Sequence, residues 1–189
     1  MNITPGYGRE NPLLSERSFT VKSGTHYPAD FLNQNLSLIF DVKNKTAQGT
    51  ATIRFKTTGM GYAYFMMLPK VTNAQLDGQP VTLSTVKTPY GIEKFIRINQ
   101  PLQPNALHTL KLTYVLSKNE VGFQQDQVAF LSAMKDVTYY RFFEAYGPSN
   151  VEADQYQLTL QVQVLGSSSP HTLFANGQIT PSRTQRTSW

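Results

Sequence analysis

The sequence predicts an all-β fold, either an antiparallel β-sandwich or a set of saddle-shaped sheets. In many short segments apolar residues recur at every second position, which is the period of a strand with one buried face. Gly, Pro and Asn residues separate these segments, as they do in sandwiches of many short strands. No segment sustains the 3.6-residue apolar stripe of an amphipathic helix. We therefore expect no helix longer than about two turns.

The first predicted elements form a β-hairpin. Alternate positions of its first strand are apolar, namely Leu36, Leu38, Phe40 and Val42. A polar link at residues 44–46 leads to a second strand at 49–56, whose apolar positions are Ala51, Ile53 and Phe55. Two alternating strands joined by a short polar link are typical of an antiparallel pair.

Four further segments continue the strand pattern. Residues 62–68 are almost entirely apolar or aromatic, which predicts a strand that is buried on both faces and ends before Pro69. A short strand from residue 71 leads into the turn 77–80, and residues 91–98 form another strand. The fourth strand has one face made of His108, Leu110, Leu112, Tyr114 and Leu116.

The most regular alternation lies in the strand at 156–164. Its odd-numbered positions are polar, and its even-numbered positions are Tyr156, Leu158, Leu160, Val162 and Val164. We expect this even-numbered set to face the core. Residues 170–175 supply a short second strand, followed by a turn at Asn176-Gly177.

Length and composition predict a single domain at residues 25–180. A chain of 189 residues buries enough surface to fold without crosslinks, and the absence of Cys excludes disulfides and thiolate metal sites. Residues 1–24 are rich in Gly and Pro, and we predict that they form an extended arm. We predict that the polar residues 181–189 form a linker or a frayed tail.

Charge and hydropathy limit the possible partners. The net charge is +5, but Lys and Arg are scattered rather than clustered, which favours solvated strand faces over a nucleic-acid interface. No segment reaches the roughly 20 apolar residues of a membrane span, and the first residues do not form a signal peptide. We expect a soluble protein, and both cytoplasm and periplasm stay open as its location.

Residues 138–150 read T-Y-Y-R-F-F-E-A-Y-G-P-S-N. The order of Arg141, the aromatic frame 142–148, an alternating strand and the Asn176-Gly177 turn resembles the amino-terminal β domain of aminopeptidase N-like zinc metallopeptidases, the gluzincin aminopeptidases. Residues 34–56 resemble the opening hairpin of that domain. The chain is thus similar to a divergent member of this family.

The resemblance implies a domain without catalytic machinery of its own. The family binds zinc through H-E-x-x-H in a later catalytic domain, whereas the His residues here are His26, His108 and His171, at spacings that cannot form this motif. The chain would need no cofactor, its parent enzyme would bind zinc, and it would be inactive alone. Its partners would be the downstream catalytic domain of the same polypeptide and, in the whole enzyme, a peptide substrate.

The candidate substrate-facing residues are Asp136, Tyr140, Arg141 and Glu144. In the resembled family a Gln-x-Glu pair upstream of the Arg holds the substrate ammonium group, but residues 133–136 read A-M-K-D and lack both side chains. Asp136 is then the available acid, or simply an exposed loop carboxylate. The aromatic residues around Arg141 also fit core packing, with Arg141 and Glu144 as an ion pair. We expect His26 and His171 to be loop or strand-end residues rather than metal ligands.

Two other functions remain open. A stand-alone β-sandwich module would bind carbohydrate or protein through exposed aromatic residues such as Tyr62, Tyr90 or Trp189. Alternatively, the chain would be a structural or adhesive domain of a larger surface protein.

Overall fold

The computed structural model describes residues 17–87, 95–117, 121–124, 127–130, 132–136, 141–144, 146–151, 156–168, 171 and 178. Within these ranges the chain forms fifteen strands: β1 (Phe19–Val21), β2 (Gly24–Pro28), β3 (Asp30–Asp41), β4 (Thr46–Lys56), β5 (Gly61–Met66), β6 (Lys70–Leu76), β7 (Gln79–Pro80), β8 (Leu83–Val86), β9 (Phe95–Leu102), β10 (His108–Leu116), β11 (Val121–Gln124), β12 (Gln127–Phe130), β13 (Ser132–Asp136), β14 (Arg141–Glu144) and β15 (Gln157–Leu165).

The strands assemble into two main sheets. One has five strands in the order β1-β2-β5-β9-β8, and the other has six in the order β15-β3-β4-β10-β6-β7. Two hairpins, β11–β12 and β13–β14, form separate two-stranded sheets. The described residues contain no helix, and hence none that would cross a membrane. The predicted all-β fold is confirmed.

The β3–β4 hairpin, which the sequence pattern predicts, lies in the interior of the six-stranded sheet, between β15 and β10. Its strands are antiparallel, with Leu36 opposite Ala51 and Phe40 opposite Ala47. The alternating apolar positions point inward: Leu38, Ile53 and Phe55 are fully buried. β10 pairs with the other edge of β4, and its predicted apolar face at 110, 112, 114 and 116 is buried too.

The core lies between the two sheets. Phe31 of β3 packs on Phe65 of β5, with ring centroids 6.1 Å apart. Residues 63–66 of β5 are all buried, which confirms the prediction of a strand covered on both faces. Burial on both faces explains why this segment is apolar throughout rather than alternating.

β15 occupies an edge of the six-stranded sheet and runs parallel to β3, with Leu160 opposite Leu36. Its odd-numbered residues are exposed, and Tyr156, Leu160 and Val162 pack on the core as partly buried side chains. The predicted faces are therefore confirmed, except that Leu158 is 41% exposed. The parallel pairs β15–β3 and β2–β5 depart from a purely antiparallel arrangement.

The ends of the chain are described in part. β1 falls within the range predicted to be an extended arm and pairs with β2 as an edge strand. The strand predicted at 91–98 is observed from Phe95 onward. Of the strand predicted at 170–175 only residue 171 is described, and the following turn and the tail at 181–189 lie outside the described residues.

Candidate substrate-facing hairpin

The β13–β14 hairpin brings two of the candidate residues together. Its backbone register places Asp136 directly opposite Arg141, next to an irregularity between Met134 and Asp136. Glu144 lies at the other end of the hairpin, opposite Ser132. Tyr140 lies outside the described residues. Asp136 is thus part of a strand that pairs with the Arg141 strand, and not part of a separate loop.

The segment that follows this hairpin, residues 146–151, is buried throughout. Two side-chain hydrogen bonds fix it to the six-stranded sheet. Gln34 of β3 donates its Nε2 to the Pro148 carbonyl oxygen at 2.9 Å, and Asn150 accepts through Oδ1 from the Phe31 backbone N–H at 3.2 Å. Both bonds are buried, so breaking either leaves a buried polar backbone group unpaired.

The same segment is also joined to the five-stranded sheet. Ser149 and Met66 exchange two backbone hydrogen bonds of 3.1 Å and 3.0 Å, which form an isolated antiparallel bridge. Residues 146–151, which we call the anchor segment, therefore connect both sheets. Glu144 stands two residues before this fixed point, so the end of β14 is held by the sandwich.

A zinc site does not fit the described residues. Among them, no three His, Cys, Asp or Glu side chains come together in a group that could hold a metal ion. Zinc needs three or four such ligands around one point.

His26 is fully buried beneath the β1 edge of the five-stranded sheet. Its Nδ1 lies 3.0 Å from the Gly24 carbonyl oxygen, and its Nε2 lies 2.8 Å from Nη1 of Arg97. Because Arg only donates, Nε2 accepts and the proton sits on Nδ1. Burial, together with the positive charge of Arg97, lowers the pKa of His26, and backbone hydrogen bonds oppose this in part.

His108 is paired with a carboxylate at the β6–β7 turn. Its Nδ1 lies 2.7 Å from Oδ2 of Asp77, whose Oδ1 accepts from the Thr109 backbone N–H, also at 2.7 Å. Asp77 adopts a positive φ of 51°, which Asp tolerates at turns. His26 and His108 therefore have structural partners, whereas the His171 side chain is exposed.

The features that would support a stand-alone binding module are weak. The Tyr62 ring is covered by the Arg97 guanidinium, 4.6 Å from its centroid, while Tyr90 and Trp189 lie outside the described residues. The outer face of the six-stranded sheet has a shallow groove of about 370 Å³, lined by Asn35, Leu36, Ser37, Thr50, Thr52, Thr159 and Gln161. Small-molecule sites are typically lined mostly by apolar side chains, whereas polar side chains line most of this groove.

No protein-family model matches the chain, and no curated protein matches its sequence. Solved structures do match its fold. The M1 zinc metallopeptidase of Deinococcus radiodurans superposes on 74% of the chain with a TM-score of 0.53 and 21% identity, and 33% of that enzyme is covered. A mutant of the Deinococcus radiodurans enzyme bound to a Tyr-Ser-Ala substrate gives 0.52 over 72% of the chain, with 20% identity and 33% covered.

A two-domain M1 zinc metallopeptidase mutant bound to L-arginine gives the same values as that substrate complex. The chain thus spans about a third of the length of these enzymes. The resemblance predicted from the sequence is confirmed at the level of the fold, because the chain folds like part of an M1 zinc metallopeptidase.

Proposed function

We propose that the chain is the non-catalytic amino-terminal β domain of an aminopeptidase N-like zinc metallopeptidase. It would pack against a downstream catalytic domain of the same polypeptide and close one wall of the cleft that admits a peptide. The observation that supports this most directly is the fold match, in which 72% of the chain corresponds to 33% of a two-domain zinc metallopeptidase. A domain of this kind controls access to the cleft and leaves zinc binding to its neighbour.

The β13–β14 hairpin is the part that we propose to meet the substrate. Peptides with a free amino terminus carry an ammonium group, which a carboxylate binds through short, charge-assisted hydrogen bonds. Glu144 and Asp136 are the acids of the hairpin, and Arg141 lies opposite Asp136. The anchor segment supports this role because it fixes the end of β14 to both sheets. Tyr140, which precedes Arg141 in the sequence, would add a hydroxyl group as a further candidate.

The first test is to sequence the reading frame that contains this chain. The proposal expects an H-E-x-x-H motif in the same reading frame beyond Trp189, and a full-length protein that binds zinc and hydrolyses aminoacyl substrates. A frame that continues into repeats of similar β domains would instead support a structural or adhesive protein and would overturn the proposal.

The second test measures substrate binding by the full-length enzyme. Glu144→Gln and Asp136→Asn should raise KM for peptides with a free amino terminus, about tenfold for the acid that binds the ammonium group, since a hydrogen bond to a charged group is lost. Glu144→Asp, which keeps the carboxylate, should have a smaller effect. An amino-terminally acetylated peptide lacks the ammonium group and serves as the control. Unchanged KM values in both variants would exclude the hairpin from substrate binding.

A further inference from the structure

The edge strand β1 is short. It has three residues, of which Thr20 and Val21 are exposed, and in the described part of the chain it lies at the edge of its sheet, paired with β2. Just before β1, the Arg17 carbonyl oxygen accepts a hydrogen bond from the Tyr64 hydroxyl at 2.8 Å. Short, exposed edge strands open locally at a low free-energy cost. A side-chain contact beneath β1 can therefore change how often the strand opens.

That contact is the His26 ring. Phe19 of β1 stacks on it, with ring centroids 4.8 Å apart and planes 6° from parallel. Phe19 also meets Tyr64 edge-on at 5.3 Å. The stacked Phe19 ring keeps water from His26, so the imidazole has little solvent to stabilise a positive charge.

Arg97 links His26 to the turn between β1 and β2. Its Nη1 donates to His26 Nε2 at 2.8 Å and to the Ser23 hydroxyl at 2.9 Å. Its Nε donates to Asn99 Oδ1 at 3.1 Å, which fixes the guanidinium against β9. One nitrogen thus holds both the buried His and the turn. This arrangement requires His26 to accept a hydrogen bond, which only the neutral imidazole does.

We propose that His26 is a pH-sensitive clasp that holds β1 and its turn against the five-stranded sheet when neutral and releases them when protonated. Protonation places a hydrogen on Nε2 that faces the Arg97 N–H group, so the hydrogen bond is lost and two cations are left in contact. Opening of β1 lets water reach the imidazolium ring and separates it from Arg97.

The groups around His26 determine the direction of the response. Among the described residues, Arg97 of β9 is the charged group that faces His26, and Tyr62 of β5 is titratable too, with its ring 5.4 Å away. β1 contributes the Phe19 ring and a backbone hydrogen bond with Phe19, which raises the pKa of His26, but burial and the charge of Arg97 together lower it by more. The closed state therefore binds a proton less readily than the open state does. Acid therefore favours opening.

The experiment measures backbone amide exchange in residues 19–26 of the full chain at about pH 7.5 and about pH 5.5, on either side of the ordinary histidine pKa. Protection factors are corrected for intrinsic exchange, and the β3–β4 hairpin serves as the internal reference. We expect protection of residues 19–26 to fall about tenfold at the lower pH, as for loss of a hydrogen bond to a charged group. Equal changes in the two regions would overturn the proposal.

Two variants separate His26 from other titrating groups. His26→Gln carries an amide oxygen that can accept from Arg97 but does not titrate, so the local pH response should disappear. His108→Gln, the matched control, should retain it. A response that survives in His26→Gln, or disappears in His108→Gln, would contradict the clasp.

A crosslink tests the release of β1 even if His26→Gln fails to fold. The hydroxyl oxygens of Thr20 and Thr25 lie 3.0 Å apart across the β1–β2 pair, and the chain has no Cys of its own. The double variant Thr20→Cys, Thr25→Cys should keep its protection at about pH 5.5 when oxidised and lose it again when reduced. If oxidation does not affect the response, β1 release is not its cause.

Discussion

Gly49 occupies a position where the fold leaves no space for a side chain. It lies opposite Tyr114 in the β4–β10 pair, and a Cβ atom at this position would overlap the buried Tyr114 ring. Gly in a strand interior normally weakens it, so a packing reason explains its presence here. The Gly is required because a large aromatic ring fills the adjacent volume.

Gly49→Ala should therefore destabilise the protein by about 1–3 kcal/mol, the usual cost of forcing extra atoms into a packed core. Gly122→Ala in β11 is the matched control, because a Cβ there would lie 3.8 Å from its nearest neighbour, the Ala129 carbonyl oxygen. Urea unfolding measures both. In a Tyr114→Ala background the Gly49→Ala cost should largely vanish, and a cost that persists would point to a backbone effect instead.

Asp77 gives a residue-scale prediction about pH. Burial by itself would raise the pKa of this carboxyl group, but the hydrogen bonds from His108 and Thr109 outweigh it, so the pKa lies below the usual value. The stability contributed by Asp77 is thus present above the unfolded-state pKa of about 3.9 and is lost as the pH falls through the lower folded-state pKa.

Asp77→Asn removes the titrating group while keeping a residue that tolerates positive φ. We expect lower stability at neutral pH and a shallower loss of stability in acid, read from urea midpoints at about pH 7 and at points below about pH 4. Parallel curves for the two proteins would show that the Asp77 carboxylate does not contribute to acid sensitivity.

At the scale of elements, Ala substitutions in β15 and β3 test whether the stability cost follows the burial of each side chain. Leu38 of β3 is fully buried, Leu160 is partly buried and packs on the core, and Gln161 is exposed. Replacement by Ala should cost about 2–5 kcal/mol at Leu38, roughly half as much at Leu160, and less than about 0.5 kcal/mol at Gln161. Equal costs at Leu160 and Gln161 would mean that the faces of β15 are assigned wrongly.

The anchor segment gives a second prediction at this scale. Asn150→Ala removes the acceptor of the buried Phe31 backbone N–H group, so we expect a loss of about 1–3 kcal/mol. Asn73→Ala is the control, because Asn73 is exposed on β6, and it should change stability by less than about 0.5 kcal/mol. Faster amide exchange in β14 of the Asn150→Ala variant would show that the anchor segment holds the hairpin. Unchanged exchange in β14 and an unchanged free energy of unfolding would show that the Asn150 hydrogen bond does not hold it.

Strand faces follow from the sequence more readily than strand partners do. Period-two alternation predicts that Leu110 and Leu160 face inward, and both do, because burial depends on a pattern within one strand. The parallel pairing of β15 with β3 does not follow from that pattern, since alternation carries no information about which neighbour a strand selects. The same limit applies to the order of strands in both sheets.

At the scale of the whole molecule, the candidate site also combines features that the sequence predicts with contacts between distant residues that it does not predict. The resemblance pointed to Arg141 and the aromatic residues after it, but it did not predict the β13–β14 pairing, in which Asp136 lies opposite Arg141 after an irregularity in register next to Met134. The anchor segment uses a hydrogen bond between residues 119 positions apart, and the His26–Arg97 hydrogen bond of the proposed clasp joins residues 71 positions apart. Such contacts arise only when the two sheets have come together.

The last prediction concerns the activity of the whole chain. Catalytic zinc requires three protein ligands and an open coordination position, whereas the sequence has three His at unrelated positions and the described residues form no metal-binding cluster. We expect the purified 189-residue chain to contain far less than one zinc per molecule by mass spectrometry and to leave aminoacyl substrates intact.

The proposed docking role predicts that adding the chain in trans to a catalytic fragment of the proposed parent enzyme should restore part of the fragment's stability or activity. The same fragment mixed with the Asn150→Ala chain should recover less, since the hairpin is then held less firmly by the anchor segment. Stoichiometric zinc in the isolated chain, or hydrolysis that survives repeated purification, would place the chemistry within these 189 residues and contradict a docking role.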